Sequence, residues 1–447
     1  MFSSFLNEMF YVDQLSIIMI FLVSFIGIVV SFFSRNYMKG DSTYYNFYFK
    51  MLVMLLSVIL MVTADNILLF LTTWFCFNLI ITQLIVHKQS WKAAQASGKL
   101  AFQNFLHGFI CIALASIILC NQVGSLSIQN MINHVDNSFS TFIALILLLM
   151  GIMRQSAMWP FHGWLISSLN SPTPVSALMH AGIINGGGFL LVRFSHLYCM
   201  FPQLLDFIFV IGLITAVCGC VWKLMQHDVK RMLACSTMSQ MGFMFMQCGL
   251  GFFASAIAHL FWHGLFKAYM FLASGSTAQE KRFDIGYEMS WISFLLSLIC
   301  GVCGSYIFVL LYNQTLLPIN TNLIVVGVVF ITSSQVSFTI LVGAPFKNLP
   351  VASILTACLS CFYAANIYLF DLILAPLELM HPQPLNVIHT IAFVIFVFAW
   401  ISILFFKKLH NTYSAADWTL NIYVRMLNSC QPHPDTVTTY RKGYDYE

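Results

Sequence analysis

Long, uncharged apolar runs fill this chain almost from end to end, and they decide what it can fold into. A helix needs about 20 apolar residues to cross the hydrocarbon core of a bilayer, and about 13 stretches meet that need. They lie near 15–33, 49–64, 66–86, 101–120, 139–153, 174–194, 204–225, 232–250, 252–275, 291–312, 321–344, 350–374 and 386–406. A transmembrane barrel would show strands of about 10 residues with polar–apolar alternation, and these runs are too long and too uniform. With no water to satisfy the backbone, each span must close its own hydrogen bonds, which leaves helices. The expected fold is therefore an all-α polytopic membrane protein with about 13 transmembrane helices, some of them broken. Only 8% of residues are charged, against roughly a quarter in a soluble domain, which excludes a soluble enzyme and a disordered chain. The net charge is +4 and no basic block or aromatic–basic interleaving occurs, so no nucleic-acid partner is expected.

Positive residues set the expected orientation. Alternate connections hold Arg35, Lys39 and Lys50; Lys88, Lys92 and Lys99; Lys223, Lys230 and Arg231; Lys281 and Arg282; and Lys347. The tail adds Lys407, Lys408, Arg425, Arg441 and Lys442, while the intervening connections hold almost none, Arg193 being the exception. By the positive-inside rule the rich side is cytoplasmic, with the N-terminus outside and the tail inside. The first span follows Glu8 and Asp13 rather than a basic region, so it is expected to be retained rather than cleaved. Residues 1–406 read as the transmembrane domain. Residues 407–447 read as a cytoplasmic docking tail in which Trp418, Tyr423 and Arg425 are of the types that anchor partners.

The 13 cysteines lie almost entirely within spans, which is no secreted disulfide framework. The pairs Cys300/Cys303 and Cys358/Cys361 have zinc-like spacing, but in apolar helices they read as small residues that pack one helix on another. No metal site is expected in this chain. The run Gly186–Gly188 lacks the strand and the Lys-Ser/Thr of a phosphate loop, and is expected to let a helix bend or another backbone come close.

Titratable groups at membrane depth are costly, and each is a functional candidate. His259, His263 and Lys267 are spaced i, i+4, i+8, so they share one helix face, rising about 6 Å per step. Histidine changes charge near neutral pH, and a desolvated lysine can join it, so the row could pass protons through intervening waters. The bland alternative is that the histidines only bond neighbouring helices while Lys267 holds a structural partner. A second group runs from Arg154 through Pro160 and His162 to Pro172, Pro174 and His180. Its prolines break helices, and free carbonyls at that depth are tolerated only where backbone lines a cavity or is buried in protein. Broken helices beside titratable groups recur in ion-coupled transporters; a plain loop with two satisfied histidines is the other reading. Lys223, His227, Asp228 and Lys230, with Arg231, sit at the cytoplasmic end of a span. They read as a solvated, headgroup-facing cluster or as the inlet of an ion path. No carboxylate pair or serine elbow argues for covalent chemistry.

These residues carry a resemblance. Pro160-Phe-His-Gly-Trp-Leu165 through Ser171-Pro-Thr-Pro-Val-Ser-Ala-Leu-Met-His180 resembles the signature of the antiporter-like membrane subunits shared by respiratory complex I and the Mrp cation/proton antiporters. Asp65–Phe70, Asp228–Gly242, and His259–Lys267 with Ala273–Ser276 agree with it in family order. Within that superfamily, His180–Arg193, Lys99–Asn104 and the tail Tyr423–Pro432, ending near Tyr440–Tyr446, are most similar to DabB, the membrane subunit of DAB inorganic-carbon transporters. The resemblance implies an antiporter-like fold, a bacterial inner-membrane location, and an ion path for H+ or Na+ through Lys267, His263, His259, His180, His162 and Arg154. It also implies a large cytoplasmic partner, DabA, which holds the zinc and the carbonic-anhydrase-like CO2 chemistry, so that this chain needs no cofactor. The sequence departs from complex I-type subunits where their glutamate becomes Phe75 and their lysine becomes Gln155, beside Arg154. Their Gly-Pro-Pro-Phe break is not recognisable after residue 300, and the long lateral helix of the largest subunits is missing. A complex I or Mrp pump, and a membrane anchor whose ion path has decayed, are the competing readings.

Overall fold

The computed structural model describes residues 9–275, 290–312, 320–410 and 417–437, without the side chains of 403–417 and 419. Several residues singled out above fall outside it: Glu8, Ser276, Lys281, Arg282, Arg441, Lys442, the Tyr440–Tyr446 end, and the side chains of Lys407 and Lys408. Each of the apolar stretches is helical. Among the described residues, nine helices are long and apolar enough to cross a membrane. Phe139–Gln155 and Val387–Ser402 are shorter apolar helices, and Val229–Gly249 and Phe253–Leu272 stand apart from both groups because their polar residues lower the hydropathy. The expected count of about 13 is reached only by including these four, and length and composition do not by themselves make them crossings.

Helix ends follow local chemistry. Asp13 accepts from the backbone N–H of Ser16 at 2.8 Å and so starts Gln14–Tyr37. Asn66 caps Ile67–Ile85 through the N–H groups of Leu68 and Leu69, and Ser138 caps Phe139–Gln155 through that of Thr141. These side chains satisfy donors that have no partner inside the helix. Gly124, at φ 68°, ends Lys92–Val123 in a left-handed cap, which a residue without Cβ adopts cheaply.

The chain forms two compact units. One comprises residues 1–249, 259–279 and 425–447; the other comprises 250–258 and 280–424. The first unit is built round the segment Thr173–Arg193, almost wholly buried. That segment is not one α-helix: Thr173–Leu178 passes through a π-helical turn, Met179–Ile183, into Asn185–Arg193. The hairpin of Pro202–Met225 and Val229–Gly249 is closed by small residues, since a Cβ on Gly212 would lie 2.7 Å from Gly242 O and one on Gly219 2.6 Å from Ser239 N. Such close backbone approach is how helices associate without a hydrophobic driving force. Gly187 serves the same end: its Cβ would lie 2.7 Å from Ile152 O.

The second unit stacks Trp291–Tyr312, Asn322–Leu341 and Pro345–Leu374 around Phe308, Val329, Ala364 and Ile367. The two Cys pairs lie here. Cys300 is buried, whereas Cys303, Cys358 and Cys361 are exposed, and the close approaches are made by Gly301 to Phe330 O and Gly304 to Ser333 and Ser360.

Arg193, the exception to the charge pattern, is not a free loop charge. Its guanidinium is paired with the Asp13 carboxylate and donates to Ser16 Oγ at 2.9 Å.

Candidate functional site

Helix Phe253–Leu272 carries His259, His263 and Lys267 on one face, as an i, i+4, i+8 row must be. His259 and His263 stack with ring centroids 6.2 Å apart and planes inclined at 26°. Gly264 lets this helix reach the π-helical turn, since a Cβ there would lie 2.9 Å from Ala181 O and 3.2 Å from Asn185 Nδ2. The approach places Phe271 flat on the His180 ring, at 4.2 Å between centroids.

Lys267 has no exposed surface. Its Nζ donates to the carbonyl of Leu233 at 3.1 Å. The same carbonyl accepts from Thr237 Oγ1 at 3.0 Å, and that hydroxyl lies 3.1 Å from His180 Nδ1. Lys267 and His180, from different helices, are thus joined through one backbone oxygen and one hydroxyl. The hydroxyl gives its proton to Leu233 O, so the contact makes His180 Nδ1 the donor to Thr237. Among the described residues, neither ring nitrogen of His263 has a hydrogen-bond partner, and neither has Nε2 of His259. Buried polar atoms are rarely left this way.

A second polar group lies at the π-helical turn. Gln155 Nε2 donates to Asn78 Oδ1 at 3.2 Å and to Ile183 O at 3.3 Å, and Ser156 Oγ donates to Ile184 O at 3.0 Å. A π turn shifts the carbonyl register, and polar side chains from Phe139–Gln155 and its end take up the carbonyls it releases. Phe75 is partly buried and packs its ring 5.2 Å from that of Phe109.

The structure therefore brings Lys267, His263, His259 and His180 together. Arg154 and His162 make their contacts elsewhere. Arg154 donates to Asn104 Oδ1 at 3.4 Å and lies 4.2 Å over the Phe161 ring. The His162 ring lies 4.7 Å from that of Trp222, tilted by 35°, with Nε2 3.5 Å from Ser429 O. Of the group at the end of Pro202–Met225, Lys223, His227 and Asp228 are exposed. Asp228 accepts from Arg231 N at 2.9 Å, a capping contact, and Lys230 turns inward to donate to Ser171 O at 3.3 Å. Sequence reasoning did not single out Thr237, Asn78 or Asn185. A threonine or asparagine inside an apolar helix is the only signal that could have marked them, and most such residues bond only their own helix. Among the described residues no group of three His, Cys, Asp or Glu could hold a metal ion.

Residues 64–349 match the family described as NADH:quinone oxidoreductase/Mrp antiporter, TM, and residues 5–48 match the N-terminal family of complex I chain 5. A probable inorganic carbon transporter subunit DabB1 from Halothiobacillus neapolitanus is 38% identical over 61% of this chain and 50% of its own length. NADH-quinone oxidoreductase subunit L from Escherichia coli is 34% identical over 59% of this chain and 44% of its own. The matched chain spans about half the length of these relatives. The Mrp complex from Dietzia sp. DQ12-45-1b shares the fold over 93% of this chain and 51% of that one, at TM-score 0.58 and 20% identity. With apolar helices of membrane-crossing length throughout and this match over more than half its residues, the chain is a multi-pass membrane protein that belongs to the NADH:quinone oxidoreductase/Mrp antiporter family of membrane subunits.

Proposed function

We propose that this chain is the membrane subunit of an energy-coupled inorganic-carbon uptake complex in a bacterial inner membrane. In this reading it conducts H+ or Na+ and so drives a large cytoplasmic zinc protein that hydrates CO2 to bicarbonate. The chain itself breaks no covalent bond and holds no cofactor. The observation that carries the ion path is Lys267, without exposed surface and linked through Leu233 O and Thr237 to His180. His263 supplies two open ring nitrogens on the same helix face. An amine and imidazoles can take up and release protons in turn. Hard cations prefer oxygen ligands, so this nitrogen-rich set suits H+ better than Na+. His162, Arg154 and the Lys223–Lys230 group would serve at the margins of the path. The carbon role is supported by the DabB-named relatives, at 38% and 34% identity.

A second reading, a redox-linked or antiporting pump, is favoured by the 34% identity to subunit L. Against it stand Phe75 and Gln155, which hold no charge to match the glutamate and lysine of complex I-type subunits.

The test is purification from native membranes with identification of what accompanies the chain, followed by metal analysis. A soluble partner in near-stoichiometric yield that carries all the zinc is the expected result. Quinone-oxidoreductase subunits in its place would overturn the carbon reading, and zinc bound to this chain alone would overturn the division of labour.

A further inference from the structure

The broken helix begins at Pro172, and the loop before it is held from three directions. Ser97 Oγ, from the start of Lys92–Val123, donates to Ser167 O at 2.7 Å. Lys230 reaches Ser171 O from the first turn of Val229–Gly249. The third direction is the tail. His433 N donates to Ser167 Oγ at 3.0 Å, and Asn170 Nδ2 donates to Thr436 O at 2.9 Å. The tail is in turn pinned at Cys430, whose side chain is fully buried in a cluster with Ile166, Trp222, Cys235 and Met238. Gln226 Nε2 lies 2.9 Å from Cys430 Sγ, and Arg231 Nη1 lies 3.3 Å from Gln431 Oε1.

We infer that residues 429–436 form a strap that sets the position of the 162–171 loop. The strap packs Cys430 against Trp222, Cys235 and Met238 on the helices Pro202–Met225 and Val229–Gly249. Its hydrogen bonds go to the segments 162–171 and 226–231, which flank the break and the Lys230 contact. A surface tail that merely covered apolar area would have no need of paired backbone contacts to Ser167 and Asn170. These contacts fix register, and register in the loop fixes where Pro172 starts the helix that carries His180. Immediately upstream of the strap and continuous with it, the helix Asp417–Ser429 exposes Trp418, Ile422 and Tyr423. The link from loop to transport rests on the ion path proposed above; the strap itself does not.

The strap can be tested by hydrogen exchange on the full chain in its native complex, comparing Cys430→Glu with Cys430→Ala. Glutamate cannot remain in the apolar cluster, whereas alanine can. In Cys430→Glu, amide exchange should rise about tenfold or more in 162–171 and 429–437, with Gln14–Tyr37 unchanged, as expected of one local opening unit. Cys430→Ala should match the parent. Fast exchange in 429–437 with 162–171 unaltered would overturn the proposal. So would a rise throughout the chain, which would make the tail a general staple. Uptake measured alongside separates the two readings: a loosened loop with normal bicarbonate accumulation keeps the strap and contradicts the ion path it serves.

Discussion

Thr237 illustrates how a single side chain can join two titratable groups. Its hydroxyl donates to the carbonyl that receives Lys267 and bonds His180 Nδ1. Thr237→Val keeps the shape and removes the bridge. His180 then holds an unpaired buried nitrogen, at about 1–3 kcal/mol, so the melting temperature in detergent should fall. Bicarbonate accumulation should drop about tenfold, the factor that about 1.4 kcal/mol represents, and Thr237→Ser should restore both. Parental uptake by the valine variant would show that the bridge is not used. A different residue-scale test lies in the connections near residues 41 and 87. Asp41 Oδ2 lies 2.9 Å from His87 Nε2. Burial alone would raise the Asp41 carboxyl, but the hydrogen bonds from His87 and Thr43 outweigh it and hold the group at about 2 rather than 3.8. A lowered folded-state value stabilises above the unfolded one and is lost as pH falls through the folded one. Asp41→Asn should therefore melt below the parent at neutral pH, and the gap should close between pH 3.8 and about 2. Because Asp41 is partly exposed, the gap will be small. A gap that stayed constant through that window would contradict the assignment.

At the scale of elements, the broken helix is where sequence and structure part most usefully. Pro172 and Pro174 announce a break, and the glycine run Gly186–Gly188 announces close backbone approach. Both are present, but the π-helical turn at Met179–Ile183 has no marker residue, because its geometry comes from packing rather than from any one side chain. The carbonyls taken up by Gln155 and Ser156 follow from that turn, which is why these residues read only as losses when set beside the complex I pattern. The glycines can be separated by substitution. A Cβ at Gly187 would meet Ile152 O at 2.7 Å and Ser156 Oγ at 2.2 Å, whereas at Gly186 the nearest atom is 3.7 Å away, on Trp74. Gly187→Ala should cost about 1–3 kcal/mol through overpacking and lower the yield of folded protein from membranes. Gly186→Ala should leave it near parental. Equal yields would remove the argument that the run exists for close approach at one position.

For the whole molecule, helix positions were readable because about 20 consecutive apolar residues leave the backbone no other choice. The number of crossings was less readable, since Val229–Gly249 and Phe253–Leu272, the two helices that meet at Lys267, are the ones whose polar residues weaken the apolar signal. The candidate site was legible where it lies on one helix, at His259, His263 and Lys267, because a fixed period maps sequence onto a face. It was not legible where distant segments meet. Arg154 and His162 follow one another closely in the same motif as His180, yet they pack against Phe161 and Trp222. The tail contacts at Ser167 and Asn170 bridge more than 260 residues. The central claim is that Lys267 carries the switchable charge of an ion path, and one measurement tests it most directly: growth in ambient air of a carbonic-anhydrase-deficient host that expresses the complex with Lys267→Ala. Alanine keeps the helix, so the variant should insert and hold its partner at parental yield while rescue disappears. Normal rescue by Lys267→Ala would contradict the account and place the ion path elsewhere.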